Sequence, residues 1–455
     1  MSRSRAAKAD PLQHRAAKAA RGQDPGAKAA RNRHSTASAA RNRHGVAWAA
    51  ALLALLFAVA GCTSASAPQH DVMPPMPGMG GDADPTVPPA GVPPVSSSPP
   101  TSSPSAAAAL SGTPLPGMPP PLVPNDIYAA DRPNALSTAV AGDLPRVYVP
   151  NHTSNTVSVI DPATGKVLRT VPVPAGPEHV VPSYDLKTLW VNSDIGNALT
   201  PIDARTGKFG KPIPVDDPYN LYFTPDGRYA MVMAERAHEI VFRDPHTMAI
   251  RKVVPVPCGG VNHADFSANG RYAIVSCEFS GDLIKIDIER QAVIGKLHLP
   301  KPRSMPQDVK LSPDGRTWYI ADMETSGLWI LHGDTFANPT FLPTGQGAHG
   351  LYVSRDSHYL YVTNRGEGSV SVLDFATGKL VAKWRLPGGG TPDMGGISAD
   401  GKVLWLSGRY DNVVYEISTA NGTLLRTIRV GVEPHGLCVW PQPGRYSLGH
   451  TGVMR

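Results

Sequence analysis

Seven polar residues recur at intervals of 41 to 45 residues, and their side chains are of types that bind metals, organic ligands or water. They are Glu178, Tyr219, Asn262, Gln307, His349, Asp393 and His435. A second column stands one residue later, and its polar members are His179, Asn220, His263 and Asp308. Carboxylates and imidazoles transfer protons or coordinate divalent metals, whereas amides and phenols orient ligands by hydrogen bonds. The regular spacing indicates that one repeated structural unit presents all of these residues.

The repeated unit is built on a turn that follows the first column by seven residues. The clearest turns are Thr224-Pro-Asp-Gly227, Ser267-Ala-Asn-Gly270, Ser312-Pro-Asp-Gly315 and Ser398-Ala-Asp-Gly401. Proline presets φ at such a turn and glycine accepts a positive φ, so these stretches predict hairpins. Short apolar strands such as Tyr229–Met233 and Tyr359–Thr363 follow the turns.

A repeat of about 43 residues made of short strands and hairpin turns predicts a β-propeller. Val147 opens a strand that has no turn before it, and Pro434–Trp440, with its turn at Gln442, supplies the missing inner strand. The two ends are therefore expected to share one blade, which closes the ring and removes a free sheet edge. The sequence predicts an all-β, seven-bladed propeller of four-stranded antiparallel blades over residues 141–445, with a C-terminal tail at 446–455.

The most regular repeat contains Tyr361-Val-Thr-Asn364, followed by the strand that ends at Asp374 and a Thr-Gly turn. These motifs resemble the YVTN family of β-propeller proteins over roughly residues 145–445. Other copies are degraded, as in Tyr148-Val-Pro-Asn and Trp190-Val-Asn-Ser. The resemblance implies the propeller fold and a surface or periplasmic binding role, and a wider similarity to haem- and copper-bearing propellers. It does not specify an activity.

In a propeller the first column begins the innermost strands, so its side chains are expected at one mouth of the axial channel. They either bind channel water and cap the backbone, or they bind a ligand, a metal or a partner. The four channel histidines fall in alternating blades, which predicts that they are scattered around the axis; they are His179, His263, His349 and His435. No His-x-His or Cys-x-x-Cys pair supports a tightly bound zinc. His152 and His450 are expected at the surface.

Motifs for a nucleophile elbow, a phosphate loop, a dinucleotide site and haem attachment do not occur in the sequence. We therefore expect a ligand- or protein-binding scaffold rather than an enzyme, and we expect a monomer without a cofactor. Two alternatives stay open. One is a lactonase-like hydrolase whose metal is held by Glu178, Asp393 and nearby histidines, and the other is a copper-handling protein, so copper or another divalent metal belongs to the alternatives.

The N-terminal residues have the pattern of a lipoprotein signal peptide. Residues 1–45 carry eleven Lys or Arg against two Asp, and the uncharged stretch Val46–Ala60 follows. Small residues then precede a cysteine in Val59-Ala-Gly-Cys62, and only a thiol can accept the diacylglyceryl group. We expect residues 1–61 to be removed and Cys62 to attach the protein to the extracytoplasmic face of the cell membrane. An uncleaved membrane anchor is the alternative.

Loss of this leader changes the charge of the protein. Removing its net +9 from the formal +6 leaves about −3, so the sequence pI of about 9.0 does not indicate nucleic-acid binding. Residues 62–140 are dominated by Pro, Ser, Ala and Gly, which predicts a disordered tether. Within it His70, Met73, Met76 and Met79 recur with the three-residue period of polyproline II. Thioethers suit Cu(I), although composition bias alone also explains the tract.

The remaining cysteines suggest one disulfide. Cys258 and Cys277 flank the hairpin turn at Ser267–Gly270, and Cys277 is expected opposite Gly260. A small irregularity in the hairpin would bring the two thiols together, whereas two free buried thiols are the alternative. Cys438 lies on a predicted inner strand and is expected to be a packed core residue.

Overall fold

A computed structural model describes residues 112–455. The lipidation candidate Cys62 and the tract from His70 to Met79 lie outside the described residues. Within them, strands form seven four-stranded antiparallel sheets. Three short 3-10 helices, Ala129–Asp131, Thr138–Val140 and Glu278–Ser280, complete the regular structure of this part of the chain. The predicted all-β, seven-bladed propeller is confirmed.

Blades 1 to 4 are numbered in the order of the chain, and the last strand of the protein belongs to blade 1. Their strands are β1 (Arg146–Asn151), β2 (Thr156–Asp161), β3 (Lys166–Pro172) and β28 (Cys438–Trp440) in blade 1; β4 (Pro177–Pro182), β5 (Thr188–Ser193), β6 (Ala198–Asp203) and β7 (Ile213–Pro214) in blade 2; β8 (Pro218–Phe223), β9 (Ala230–Ala234), β10 (Glu239–Arg243) and β11 (Ile250–Pro255) in blade 3; β12 (Val261–Phe266), β13 (Tyr272–Cys277), β14 (Asp282–Asp287) and β15 (Ala292–His298) in blade 4.

Blades 5 to 7 follow the same pattern, with the innermost strand first and the outermost strand last. Their strands are β16 (Pro306–Leu311), β17 (Thr317–Asp322), β18 (Gly327–His332) and β19 (Thr340–Pro343) in blade 5; β20 (Ala348–Val353), β21 (Tyr359–Asn364), β22 (Ser369–Asp374) and β23 (Lys379–Arg385) in blade 6; β24 (Pro392–Ile397), β25 (Val403–Gly408), β26 (Val413–Ser418) and β27 (Leu424–Arg429) in blade 7.

Side-chain hydrogen bonds explain why the repeated turns and the Tyr-Val-Thr-Asn motif hold the blades together. At the blade 5 turn, Ser312 Oγ donates to Asp314 and accepts from the Thr317 amide, and Gly315 takes a φ of 72°. Asn364, the last residue of the motif, is fully buried and its amide nitrogen donates to Ser369 and Ser371. A buried amide must find such partners, so the motif is a structural device that joins neighbouring strands.

The propeller closes by pairing its first strand with its last one. Val147 of β1 lies opposite Val439 of β28, and Tyr148 lies opposite Cys438. Cys438 is fully buried and packs in a cluster with Tyr148 and Trp440, so its predicted place in the core is confirmed. The predicted closure is therefore confirmed, because β28 pairs with the edge of β1 that would otherwise be free.

Residues 112–140 form a belt across the hairpin turns, so the predicted end of the tether at residue 140 is wrong. The backbone amides of Leu115, Ile127 and Asn134 donate to carbonyls in the turns of blades 4, 5 and 7, respectively. Leu115, Ile127 and Tyr128 are buried, and the Tyr128 hydroxyl donates to the Leu311 carbonyl at 2.8 Å. Proline-rich composition hid these few apolar anchors, which are enough to fix the segment to the propeller.

The C-terminal residues form a hairpin that enters the channel from the end where the turns lie. Ser447 pairs with Met454, and the tip of the hairpin contains His450. The His450 amide donates to the Leu221 carbonyl, and the Phe223 amide donates to the Leu448 carbonyl. His450 is 1% exposed, so the expectation of a surface histidine is wrong. We call residues 446–455 the plug.

The structure joins Cys258 and Cys277 in a disulfide whose Cα atoms are 6.0 Å apart. Cys277 lies opposite Val261, and the pairing of β12 with β13 is irregular between Val261 and Ala264. This irregularity shifts the strand by the small amount that the bridge needs. The disulfide ties the start of the inner strand of blade 4 to the end of the next strand, close to the channel mouth.

Candidate functional site

Each residue of the first column from Glu178 to Asp393 is the second residue of an inner strand. At this point all six strands, β4, β8, β12, β16, β20 and β24, have an irregular register with the neighbouring strand. A β-bulge re-aims side chains, so two successive residues can turn towards the axis where a regular strand would present only one. The bulges therefore create the two columns that the sequence shows.

A cavity of about 340 Å³ lies at this mouth of the channel. Five first-column residues line it directly: Glu178, Tyr219, Gln307, His349 and His435. Asn262 and Asp393 are fully buried beside them and act through neighbours, since Asn262 donates to Glu278 at 2.7 Å. The structure thus brings together all seven residues that were predicted to meet here.

Two buried carboxylates organise the floor of the cavity. Glu178 lies 2.6 Å from His435 Nδ1, 3.3 Å from Arg409 and 3.2 Å from His152. Burial opposes ionisation of Glu178, but Arg409 and then His435 hold its pKa well below the ordinary value. His152, which was expected at the surface, is 22% exposed and also contacts Glu178.

Asp393 is the second of these carboxylates. It lies 2.7 Å from His349 Nδ1, 3.2 Å from Arg365 and 3.5 Å from His435 Nε2. Burial again opposes ionisation, but His349 and Arg365 hold the pKa of Asp393 well below its ordinary value. The two carboxylates therefore stay charged and fix the histidines and arginines of the mouth in place.

A second ring of mouth residues was missed by reasoning from the sequence. Its members follow directly after the second strand of each blade, and they are His152, Asp194, Glu235, Glu278, Met323, Arg365 and Arg409. The signal was available, because in blade 6 this is the residue after Tyr361-Val-Thr-Asn364. In the described residues, five of the seven ring members also line the cavity: Glu235, Glu278, Met323, Arg365 and Arg409.

The second ring divides the mouth into an acidic side and a basic side. Glu235 and Glu278 belong to blades 3 and 4, whereas Arg365 and Arg409 belong to blades 6 and 7, which lie across the axis of a seven-bladed ring. Burial, followed by repulsion from Glu278 and Glu178, raises the pKa of Glu235 to about 9. Burial also raises the pKa of Glu278. Arg236 lies next to Glu235 but pairs with Asp217 at 2.8 Å, and it is not among the described residues that line the cavity.

Below the cavity the channel histidines converge, so the prediction that they are scattered around the axis is wrong. The ring centroids of His179 and His435 are 4.9 Å apart, and those of His179 and His263 are 5.6 Å apart. The ring centroids of His349 and His435 are 5.7 Å apart. The narrow channel brings alternating blades into contact, and a Cβ at Gly436 would overlap the ring of His179. Gly436 therefore makes room for the His179 ring. It does not expose His435 to the channel.

The plug adds a fifth histidine to this group. His450 lies 5.0 Å from the ring of His263 and 5.1 Å from that of His179. Asn220 and Asp308 of the second column flank it: the Asn220 amide nitrogen lies 3.0 Å from His450 Nδ1, and Asp308 lies 3.9 Å from Nε2. The second column thus forms a layer of the channel beneath the mouth.

The fold and the mouth together define a seven-bladed propeller with a polar, charge-divided cavity at one end of its channel. The profile described as a YNCE-like beta-propeller matches residues 107–443. The chain therefore belongs to this family. A comparison with curated proteins finds no match.

Solved structures with the same fold share little sequence with this chain. A functionally unknown protein from Desulfotomaculum acetoxidans is 17% identical with a TM-score of 0.55, over 65% of this chain and 98% of that chain. A periplasmic gluconolactonase from Pseudomonas aeruginosa is 19% identical with a TM-score of 0.54, over 66% and 99%. A putative 6-phosphogluconolactonase from Bacteroides uniformis is 17% identical with a TM-score of 0.51, over 65% and 99%. These likenesses establish the fold alone.

Among residues 112–455, the structure contains no helix with the length and hydropathy of a membrane span.

Proposed function

We propose that this protein binds a small molecule carrying both a cationic and an anionic group in the cavity at the channel mouth. The observation that carries the proposal is the division of one cavity between two glutamates and two arginines. A cavity of about 340 Å³ lies within the size range of small-molecule sites, which combine a formed cleft with a few converging polar groups.

The acidic side is suited to a cationic group. Glu235 is 8% exposed, and its Oε1 atom has no hydrogen-bond partner among the described residues. An ammonium group placed there would supply the missing hydrogen bond and offset the repulsion between Glu235 and Glu278. Hydrogen bonds between charged partners are roughly twice as strong as those between neutral groups.

The basic side is suited to a carboxylate or another planar anion. The side chains of Arg365 and Arg409 are 12% and 15% exposed, and each uses one terminal nitrogen on Asp393 or Glu178. A guanidinium carries five N–H donors, so each arginine keeps donors for a ligand while its buried partner holds it in position. Tyr410 lines the same side.

Calorimetric titration of the purified full chain with triglycine tests this proposal. Triglycine should bind more tightly than N-acetyl-triglycine, which lacks the cation, and than triglycine amide, which lacks the anion. Arg365→Ala or Arg409→Ala should weaken binding about tenfold to a hundredfold, the value of a charge-assisted hydrogen bond. The matched controls are Arg385→Ala and Arg429→Ala, which alter exposed arginines on the outer strands of the same two blades. Equal binding of the capped and uncapped peptides would overturn the proposal.

Hydrolysis is a second candidate, favoured by the protonated state of Glu235. Two carboxyl groups in one cavity, one neutral and one ionised, are a pattern of acid–base catalysis. Glu235 would donate a proton to a leaving oxygen. Glu178 lies close to His152 and Asp194, and Asp393 to His349 and His435, but a metal there would compete with Arg409 and Arg365 for the carboxylates. Turnover of glucono-δ-lactone that Glu235→Gln abolishes would support this candidate, and gluconate serves as the product control.

We further propose that the mature protein is held at the extracytoplasmic face of the membrane by a lipid on Cys62. The motif Val59-Ala-Gly-Cys62 supports this location, and so does the disulfide between Cys258 and Cys277, because such bridges persist in oxidising compartments. We propose a monomer without nucleic-acid partners. Cys62→Ser should leave the protein unprocessed or shift it to the soluble fraction; unchanged mass and membrane retention would contradict lipidation.

A further inference from the structure

A second group of side chains, below the mouth cavity, has no part in the proposed ligand site. It consists of His179 from blade 2, His263 from blade 4 and His450 from the plug, which are 0%, 0% and 1% exposed. One ring nitrogen of each lies within 4.8 Å of the other two. The Nε2 atom of each ring has no hydrogen-bond partner among the described residues. Three unpartnered polar atoms in one group of buried rings are unusual, because buried polar groups are nearly always satisfied.

The other ring nitrogens of His179 and His263 have partners that fix the tautomer. His179 Nδ1 lies 2.9 Å from the Tyr219 carbonyl, and His263 Nδ1 lies 3.1 Å from the Asn262 side-chain oxygen. Both partners are acceptors, so each ring carries its proton on Nδ1 and presents the lone pair of Nε2 to the centre of the group. Metal-binding histidines are commonly oriented in this way, with the non-ligating nitrogen donating to a carbonyl or carboxylate.

We propose that His179, His263 and His450 bind one late first-row divalent cation, Zn²⁺ or Cu²⁺, through their Nε2 atoms. Imidazole nitrogens suit these ions, and the three rings come from separate segments that surround one point. Metal–nitrogen bonds of about 2.0 Å place the ligand atoms of a tetrahedral site about 3.3 Å apart. Small side-chain rotations that move the ring nitrogens by about 1 Å would therefore be needed. The site goes beyond the proposed ligand function and does not depend on it.

The charges and protonation states around the rings are compatible with a cation. All three rings are almost completely buried, which favours the uncharged imidazole that a metal binds. Lys310 adds a positive charge near His263 and His450, and the carboxylate of Asp308 offsets it.

Binding requires one rearrangement at His450. The Asn220 amide nitrogen faces His450 Nδ1 at 3.0 Å, which places the ring proton on Nε2. A metal on Nε2 moves that proton to Nδ1, and a half-turn of the Asn220 amide then presents its oxygen as the acceptor. Asn220→Asp supplies that acceptor directly and should increase metal affinity, which a merely structural role of Asn220 would not produce.

The test uses the full chain, purified without a polyhistidine tag and stripped with a chelator. Titration with Co²⁺ should produce visible d–d absorption that saturates at one ion per chain, and Zn²⁺ should abolish this absorption. His450→Ala, His263→Gln and His179→Gln should each lower the affinity at least tenfold. Exposed His332→Ala is the matched control and should leave metal binding unchanged.

Electron paramagnetic resonance of the wild-type Cu²⁺ complex keeps the proposal testable if a variant fails to fold. Nitrogen couplings from three imidazoles are expected, and a folded His450→Ala protein loaded with Cu²⁺ should show couplings from no more than two. A wild-type chain that binds no Co²⁺, Zn²⁺ or Cu²⁺, or a folded His450→Ala protein that binds as tightly as the wild type, would overturn the proposal. Triglycine binding tests the mouth separately, so failure of one site is distinguishable from failure of the other.

Discussion

Glu235 and Glu178 are the same residue type at the same channel mouth, yet their surroundings move their pKa values in opposite directions. Glu178 lies between Arg409, His435 and His152, whereas Arg236, the cation next to Glu235, is engaged by Asp217 at 2.8 Å. The neighbours that raise the pKa of Glu235, after burial, are all acidic: Glu278, Glu178, Asp194 and Asp217. Because of this difference, Glu178 holds its neighbouring side chains in place, whereas Glu235 can change its protonation state when a ligand binds.

This difference predicts a pH effect on stability. An unfolded Glu235 has an ordinary pKa of about 4.5, whereas the folded one is about 9, so between these values the native state holds one more proton than the unfolded state. The five buried histidines with lowered pKa values are neutral in both states above pH 7, so wild-type stability should fall as pH rises from 7 to 9, by at most about 1.4 kcal/mol per pH unit from Glu235. Glu235→Gln should remove that slope and raise the melting temperature at pH 8.

The control is Glu289→Gln, which changes an exposed glutamate and should leave the slope intact. Calorimetric melting at pH 7, 8 and 9 measures the effect. A Glu235→Gln protein with the wild-type slope would show that Glu235 ionises normally. Binding of a cationic ligand should, by the same reasoning, release a proton from Glu235 and become tighter as pH rises towards 9.

At the scale of elements, the belt and the loops after the second strands show what the sequence predicted well and what it did not. The turn spacing located every inner strand, because Ser, Asp and Gly at fixed places have direct roles in the hairpins. The convergence of the histidines depends on bulges, and a bulge leaves no distinctive residue in a strand. The belt was misassigned because a few anchors such as Leu115 and Tyr128 are set among many prolines.

The belt predicts that Tyr128 matters for stability although it lies in a stretch that resembles a linker. Its ring is 4% exposed, its hydroxyl donates to Leu311, and the Arg455 guanidinium lies 4.4 Å above the ring. Tyr128→Ala should destabilise the protein by about 3–5 kcal/mol, as for other large aromatic truncations. Leu122→Ala in the same belt should change stability by less than about 0.5 kcal/mol, since Leu122 is 59% exposed. Urea unfolding measures both, and equal effects would contradict the packed belt.

At the scale of the whole molecule, two C-terminal segments, β28 and the plug, stabilise the ring in different ways. β28 completes blade 1, whereas the plug fills the end of the channel opposite the mouth. Arg455 of the plug pairs with the fully buried Asp265 at 2.8 Å, and Arg355 pairs with Asp131 of the belt at 3.0 Å. Belt, plug and blade turns are therefore joined on one face, and the mouth is left as the accessible end of the channel.

Two truncations should separate these roles. A chain ending at Glu433 loses β28 and exposes the edge of β1, so we expect aggregation. A chain ending at Arg445 keeps β28 and loses the plug, so we expect a folded propeller with a lower melting temperature and without His450 as a metal ligand. Circular dichroism, size-exclusion chromatography and Co²⁺ titration distinguish the two. Similar behaviour of both proteins would show that the plug, and not strand pairing, holds the ring closed.

The pairing of β1 with β28 also sets the order of events during synthesis. Tyr148 and Cys438 are neighbours in space, but the ribosome makes them 290 residues apart. The edge of β1 has no partner during that interval, and an unpaired edge can recruit strands from other chains. Contacts so distant in sequence slow folding, because the chain must close a long loop before the contact forms. Growing chains must therefore be kept apart until the final strand is made, and crowding of nascent chains is the condition under which this protein is most vulnerable.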